Sequence, residues 1–268
     1  MSARQLKLHR HPADRRTAAR PLFFVHGGYS NSRVWDDNFI PYFQANGYDC
    51  FALDLSGHGE SGGHDNLDSF GLADFADDVA EALEQVDEVP ILIGHSMGCL
   101  VLQRYLGSVA EPNAAAVAFL APVPPSGTLG CVNRLALSQP EFFEELPKAV
   151  SGNFGPRTLE VMAAVYFSPE MRKEDTLRYL PMLEEESDRA VAEMVTNPLP
   201  LFSRRPRIPA LVMGGSADAV FPASMLHFTA SIWNAEKIVV EGAGHMLMLD
   251  PQWPESVTDL RGWIERLD

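Results

Sequence analysis

Gly94-His95-Ser96-Met97-Gly98 is the stretch of this chain whose residue types could do chemistry. A serine with glycine two positions away on either side fits a sharp strand-to-helix turn. Side chains at the flanking positions would collide with the strained serine backbone. Such a turn leaves the hydroxyl exposed and sets the Met97 N–H at a helix N-terminus, facing any negative charge that develops there. A serine hydroxyl is a poor nucleophile until a base takes its proton, and the base needs a partner to fix its tautomer. Asp218, within Gly214-Gly215-Ser216-Ala217-Asp218, and His245, within Gly242-Ala243-Gly244-His245, are the candidates. An acidic loop residue is commonly just solvated, and a lone histidine is more often structural than catalytic. The order Ser96, Asp218, His245, each after a strand-like run, is that of a hydrolase built on such a turn. Asp250 is a rival acid, but it lies beyond the histidine in the chain.

The elements that must position these residues follow from hydrophobic periodicity. Apolar runs at 21–25, 49–54, 90–93, 114–120, 208–215 and 237–240 predict strands. Leu6 and Leu8 alternate with polar neighbours and predict an edge strand. Trp35, Phe39, Ile40 and Phe43 predict a helix ended by Gly47; Leu72 to Val86 predict a long amphipathic one. Further helices are expected from Cys99 to Leu106, around Met225, and from Pro254 to Leu267. Residues 55–63 are too rich in glycine to be anything but loop. From 126 to 206 strand-like runs vanish, prolines multiply and helical patches carry Phe, Met and Leu. The reading is an α/β core formed by residues 1–125 and 207–268, with a helical cap at 126–206. Repeated βα units imply a mostly parallel sheet covered on both faces, whose ligands bind outside the carboxyl ends of the strands.

Composition narrows the partners. Across 268 residues, 46% are apolar, enough to fill a sizeable core. A net charge of −15 disfavours nucleic acid and anionic membranes. No run is long enough to span a bilayer. Residues 1–20 hold six basic residues and one acid, without the apolar core of a secretion signal. Three scattered cysteines (Cys50, Cys99, Cys131) suit free thiols in a reducing compartment, so the expected location is cytoplasmic.

Taken together, the chain resembles the α/β-hydrolase fold superfamily over nearly its whole length. The resemblance rests on His26-Gly27-Gly28, Asp54-Leu55-Ser56-Gly57-His58-Gly59-Glu60-Ser61, Gly94-His95-Ser96-Met97-Gly98, Asp218 with Pro222, and Gly244-His245. It implies Ser96 as nucleophile, His245 as general base and then acid, and Asp218 as its orienting carboxylate. It also implies an oxyanion hole of the Met97 and Gly28 N–H groups, with Tyr29 the alternative to Gly28. The serine argues against haloalkane dehalogenases and most epoxide hydrolases, which use aspartate at the turn. Within the superfamily the chain looks like bacterial lysophospholipase-like or monoacylglycerol-lipase-like hydrolases.

The expected activity is hydrolysis of carboxylic esters with a moderately hydrophobic acyl group, through an acyl-enzyme and without metal or organic cofactor. The same triad would equally serve a thioesterase, a lactonase, a carbon–carbon hydrolase or a cofactor-free perhydrolase. A small-ligand receptor on the same fold is the non-catalytic alternative. Tyr29, Trp35, Phe142, Phe143 and Met162 are candidates to line an acyl pocket, against the plainer reading of core residues. His58, Glu60, His64 and Asp65 lack metal-ligand spacing and read as a glycine-rich surface turn. His95 and His26 read as structural. Neither composition nor motifs speak to oligomeric state.

Overall fold

The strands that predict themselves most clearly are buried on both sides. In the computed structural model, which describes residues 5–17, 19–196 and 205–267, β2 (Leu22–Val25), β4 (Ile91–His95), β5 (Ala116–Leu120) and β6 (Ala210–Gly215) are fully buried. With β1 (Lys7–His11), β3 (Cys50–Asp54) and β7 (Glu236–Val240) they form a seven-stranded sheet in the order β1-β3-β2-β4-β5-β6-β7. Every neighbouring pair is parallel except β1 with β3, so the edge strand expected around Leu8 is the antiparallel one.

Side chains alternate between two core layers, as the two-residue period of a strand requires. Phe23, Val25, Val117, Phe119 and Val212 face one layer, closed by α2 (Leu72–Leu83), α3 (Met97–Ser108) and α9 (Ala223–Trp233). Leu22, Phe24, Ala118, Leu120 and Met213 face the other, closed by α1 (Phe39–Ala45) and α10 (Trp253–Glu265). The helix expected from Trp35 to Phe43 is interrupted. A 3-10 turn at Ser32–Trp35 is capped by the Asn31 side chain, and α1 begins only at Phe39. Between them, the Asn38 side chain donates to the Met248 carbonyl at 2.8 Å, tying this bend to the loop after His245.

Between β5 and β6 lie α4 (Leu129–Ser138), α5 (Phe142–Val150), α6 (Pro156–Tyr166), α7 (Lys173–Tyr179) and α8 (Asp188–Thr196). Leu135, Phe142, Leu159, Met162, Val165 and Leu180 give this segment a small apolar core of its own. It rests on the loops at the carboxyl ends of the strands through the contacts described below. The end of the expected cap, at 197–204, lies outside the described residues.

Candidate active site

Ser96 sits between β4 and α3 with φ +50° and ψ −115°, a strained geometry for a residue with a Cβ. Its N–H donates to the Leu120 carbonyl of β5 at 2.9 Å, which pins the turn to the sheet. The flanking glycines are there because nothing larger fits. A Cβ on Gly98 would lie 2.6 Å from the Val25 carbonyl oxygen, and one on Gly94 would lie 2.9 Å from the Gly98 oxygen. The serine is partly exposed, while Met97 beneath it is buried. Cys99, one turn along α3, donates its thiol to the Gly94 carbonyl at 3.0 Å; burial pushes its pKa far up, so it packs rather than reacts.

The loop after β2 comes up beside this turn. The position of a Gly28 Cβ would be 3.8 Å from Met97 Cβ, so the Gly28 and Met97 main chains are neighbours. Tyr29 differs from Gly28 in one decisive respect: its N–H already donates to the Glu186 carboxylate at 3.2 Å.

Asp218 and His245 are reached from β6 and β7 respectively, and the fold brings them together. His245 Nδ1–H donates to Asp218 Oδ2 at 2.9 Å, with both side chains buried. The other Asp218 oxygen accepts the N–H groups of Val220 and Phe221 at 2.7 and 2.8 Å, which hold the carboxylate in place. With Nδ1 protonated, the lone pair of His245 is at Nε2, the arrangement a general base needs. Phe221 packs edge-on to the imidazole at 5.3 Å and Tyr166 lies 6.2 Å from it, a largely apolar surround.

His95 ties this pair to the serine turn. Its Nε2–H donates to the His245 carbonyl, and burial together with the nearby His245 ring holds its pKa well below the ordinary value. Asp250 stands on the far side of the same loop. It accepts the N–H groups of Ser168 at 2.7 Å and Gly244 at 3.2 Å on one oxygen and that of Gln252 at 3.3 Å on the other. Met246 N–H donates to the Tyr166 carbonyl at 3.0 Å, so the histidine loop is fastened twice to the end of α6. Gly244 must be glycine for this: a Cβ there would lie 2.6 Å from the Ser168 nitrogen.

The pocket candidates separate. Trp35 is fully buried between Phe24, Phe39 and the edge of His95, beneath the site. Met162 is buried in the apolar core of the α4–α8 segment. Phe142 stacks edge-on to Tyr166, one residue removed from His245, whereas Phe143 is 42% exposed on the outer side. Tyr29 lines an open cleft of about 680 Å³ between α5 and residues 64–69, with Leu146, Val150 and Glu186.

The surface-turn reading of residues 58–65 is corrected at His58, which is completely buried and donates to Glu186 at 3.2 Å; His64 and Asp65 are exposed as expected. Glu184 and Glu186 carry no signal in the sequence, because three consecutive acids in Glu184-Glu185-Glu186 look like a solvated run. No local pattern distinguishes the two that turn inward. Among the described residues, no group of three or more His, Cys, Asp or Glu is arranged to hold a metal, and no helix is long and apolar enough to cross a membrane.

A family model described as alpha/beta hydrolase fold matches residues 20–252. The chain belongs to the α/β-hydrolase fold family. It is 28% identical over 247 residues to the non-heme chloroperoxidase CPO-A1 of Kitasatospora aureofaciens, covering 87% of each chain. The α/β-hydrolase fold is also that of a bromoperoxidase from Bacillus anthracis (TM-score 0.74, 18% identity, 98% of this chain and 96% of that one). The esterase RhEst1 from Rhodococcus sp. ECU1013 is similar as well (TM-score 0.73, 22% identity, 100% of this chain and 97% of that one).

Proposed function

We propose that this α/β hydrolase is a serine hydrolase of carboxylic esters, acting through an acyl-enzyme on Ser96. The observation that carries the reading is the buried His245–Asp218 bond of 2.9 Å, joined through His95 to the turn that presents Ser96. In the proposed mechanism, His245 Nε2 takes the Ser96 proton as the oxygen attacks the ester carbonyl. The tetrahedral oxyanion is held by the Gly28 and Met97 N–H groups, each typically worth about 3 kcal/mol of transition-state stabilisation. His245 then protonates the leaving alkoxide, and water, deprotonated by the same ring, releases the acid. The α4–α8 segment serves as a cap, and its Phe142, Tyr166 and neighbouring apolar residues favour a moderately hydrophobic acyl group.

A second reading shares every step to the acyl-enzyme. The likeness to a non-heme chloroperoxidase favours hydrogen peroxide in place of water, releasing a peracid.

Stoichiometric labelling of Ser96 by a fluorophosphonate, lost in His245→Ala, together with turnover of p-nitrophenyl esters, is the expected result. Acyl thioesters, lactones and ester plus peroxide in the same panel separate the related activities. Absence of labelling, with ligand binding but negligible turnover throughout, would favour a receptor instead.

A further inference from the structure

We propose that Glu186, which reaches in from the segment before α8, is a positioning residue that holds the Tyr29 turn so that Gly28 delivers its N–H to the oxyanion, with His58 as counter-charge. The inference rests on the Ser96 reading above and goes beyond it, because it makes the cap complete the oxyanion hole.

Tyr29 has φ +59°, a left-handed backbone that a residue with a side chain adopts only when its surroundings enforce it. Here one short segment grips it from both ends. Its N–H donates to Glu186 Oε2 at 3.2 Å, and its carbonyl accepts the Glu184 N–H at 3.0 Å. The Glu184 carboxylate in turn accepts the Asn31 side-chain amide at 2.6 Å and the Gly59 N–H at 2.9 Å. With the Tyr29 N–H so occupied, Gly28 is the residue of this turn left to offer a donor beside Met97.

The Glu186 carboxylate lies only 3.2 Å from where a Gly28 Cβ would be, so a bare negative charge there would oppose the oxyanion. His58 balances it. Both side chains are fully buried, and His58 donates through Nδ1 to the Ser56 carbonyl and through Nε2 to Glu186. A ring that donates from both nitrogens is an imidazolium.

The test compares p-nitrophenyl acetate kinetics and hydrogen exchange at the Tyr29 amide in variants of the full chain, each checked for an unchanged melting profile. Glu186→Ala is expected to lower kcat about tenfold to a hundredfold with KM nearly unchanged, and to speed Tyr29 exchange. Glu186→Gln, which keeps an acceptor for the Tyr29 N–H, is expected to restore kcat and protection. Glu193→Ala removes another bond from this segment to the core, the Leu72 N–H to Glu193 at 2.9 Å, and is expected to change neither. His58→Gln leaves the carboxylate unbalanced and lowers kcat; adding Glu186→Gln recovers it. Wild-type kcat in Glu186→Ala, an equal loss in Glu193→Ala, or no recovery in the double variant would each overturn the proposal. Should the wild type fail on every ester, the ester reading falls. Tyr29 exchange then still decides whether Glu186 holds the turn, and unaltered exchange in Glu186→Ala refutes it.

Discussion

The His95 ring donates through Nε2 to the backbone carbonyl of His245 at 3.0 Å, with the two ring centroids 4.9 Å apart. The residue before the proposed nucleophile therefore holds the main chain of the proposed base. His95→Ala removes that donor and leaves a void in a fully buried site. The expected cost is about 2–4 kcal/mol of stability, with kcat about tenfold lower. Urea unfolding and ester kinetics on the same preparation check both numbers; undiminished kcat would mean that the Asp250 and Tyr166 contacts hold the loop by themselves.

Two buried carboxylates flank the histidine loop and are assigned opposite tasks. Asp218→Asn removes the partner of Nδ1–H and is expected to lower kcat roughly 10⁴-fold with little change in fold. Asp250→Asn, which keeps an oxygen for the Ser168 and Gly244 N–H groups but sets its NH2 against the Gln252 N–H, is expected to keep kcat within about tenfold. It should lose about 1–3 kcal/mol of stability instead. A reversed pattern of kcat losses would make Asp250 the carboxylate that supports the imidazole.

Gly98→Ala tests the tightness of the turn. Its Cβ would meet the Val25 carbonyl backbone, which cannot give way without moving β2. A loss of about 3 kcal/mol or more, or failure to fold, is expected from circular dichroism and thermal melting. A well-folded Gly98→Ala protein with wild-type melting would show that the strand and helix are not in contact there.

Stability is expected to decline as the pH falls from 6.5 to 4. Burial, reinforced by the charge on His58, holds the His26 pKa down to about 4, and His95 is shifted the same way. In that window the unfolded chain binds more protons than the folded one, so acid favours unfolding, by about 3 kcal/mol for His26 alone. Asp250, whose pKa burial raises, works in the opposite direction and trims the loss. His58 behaves differently again. Burial alone would lower its pKa, but the Glu186 charge and hydrogen bond raise it. Its stabilisation is complete below pH 6.5 and fades as the pH rises through its folded pKa. Urea unfolding at half-unit steps from pH 4 to 8 resolves both limbs, and a flat acid limb would contradict the neutral buried state of His26.

The parallel sheet was legible because its strands are buried on both faces and therefore continuous in apolar residues, as at Leu22–Val25 and Ala116–Leu120. The serine turn was legible because glycine at 94 and 98 answers a local steric demand that any reader of the chain can see. Asp218 and His245 were legible by their order and by the loops that carry them. The break between Trp35 and Phe39 was not, since it is enforced by a bond from Asn38 to Met248, far along the chain.

By itself, then, the sequence determined the succession of strands along the chain, the family, and the meeting of Asp218 with His245. Those depend on periodicity and on backbone geometry within a few residues. Only the tertiary structure decided that Tyr29 spends its N–H on Glu186, that His58 is inside, and that Asp250 braces the histidine loop. Each of these pairs joins side chains to backbone across separate loops, where burial removes water and makes a partner obligatory. No spacing along the chain encodes which partner that will be.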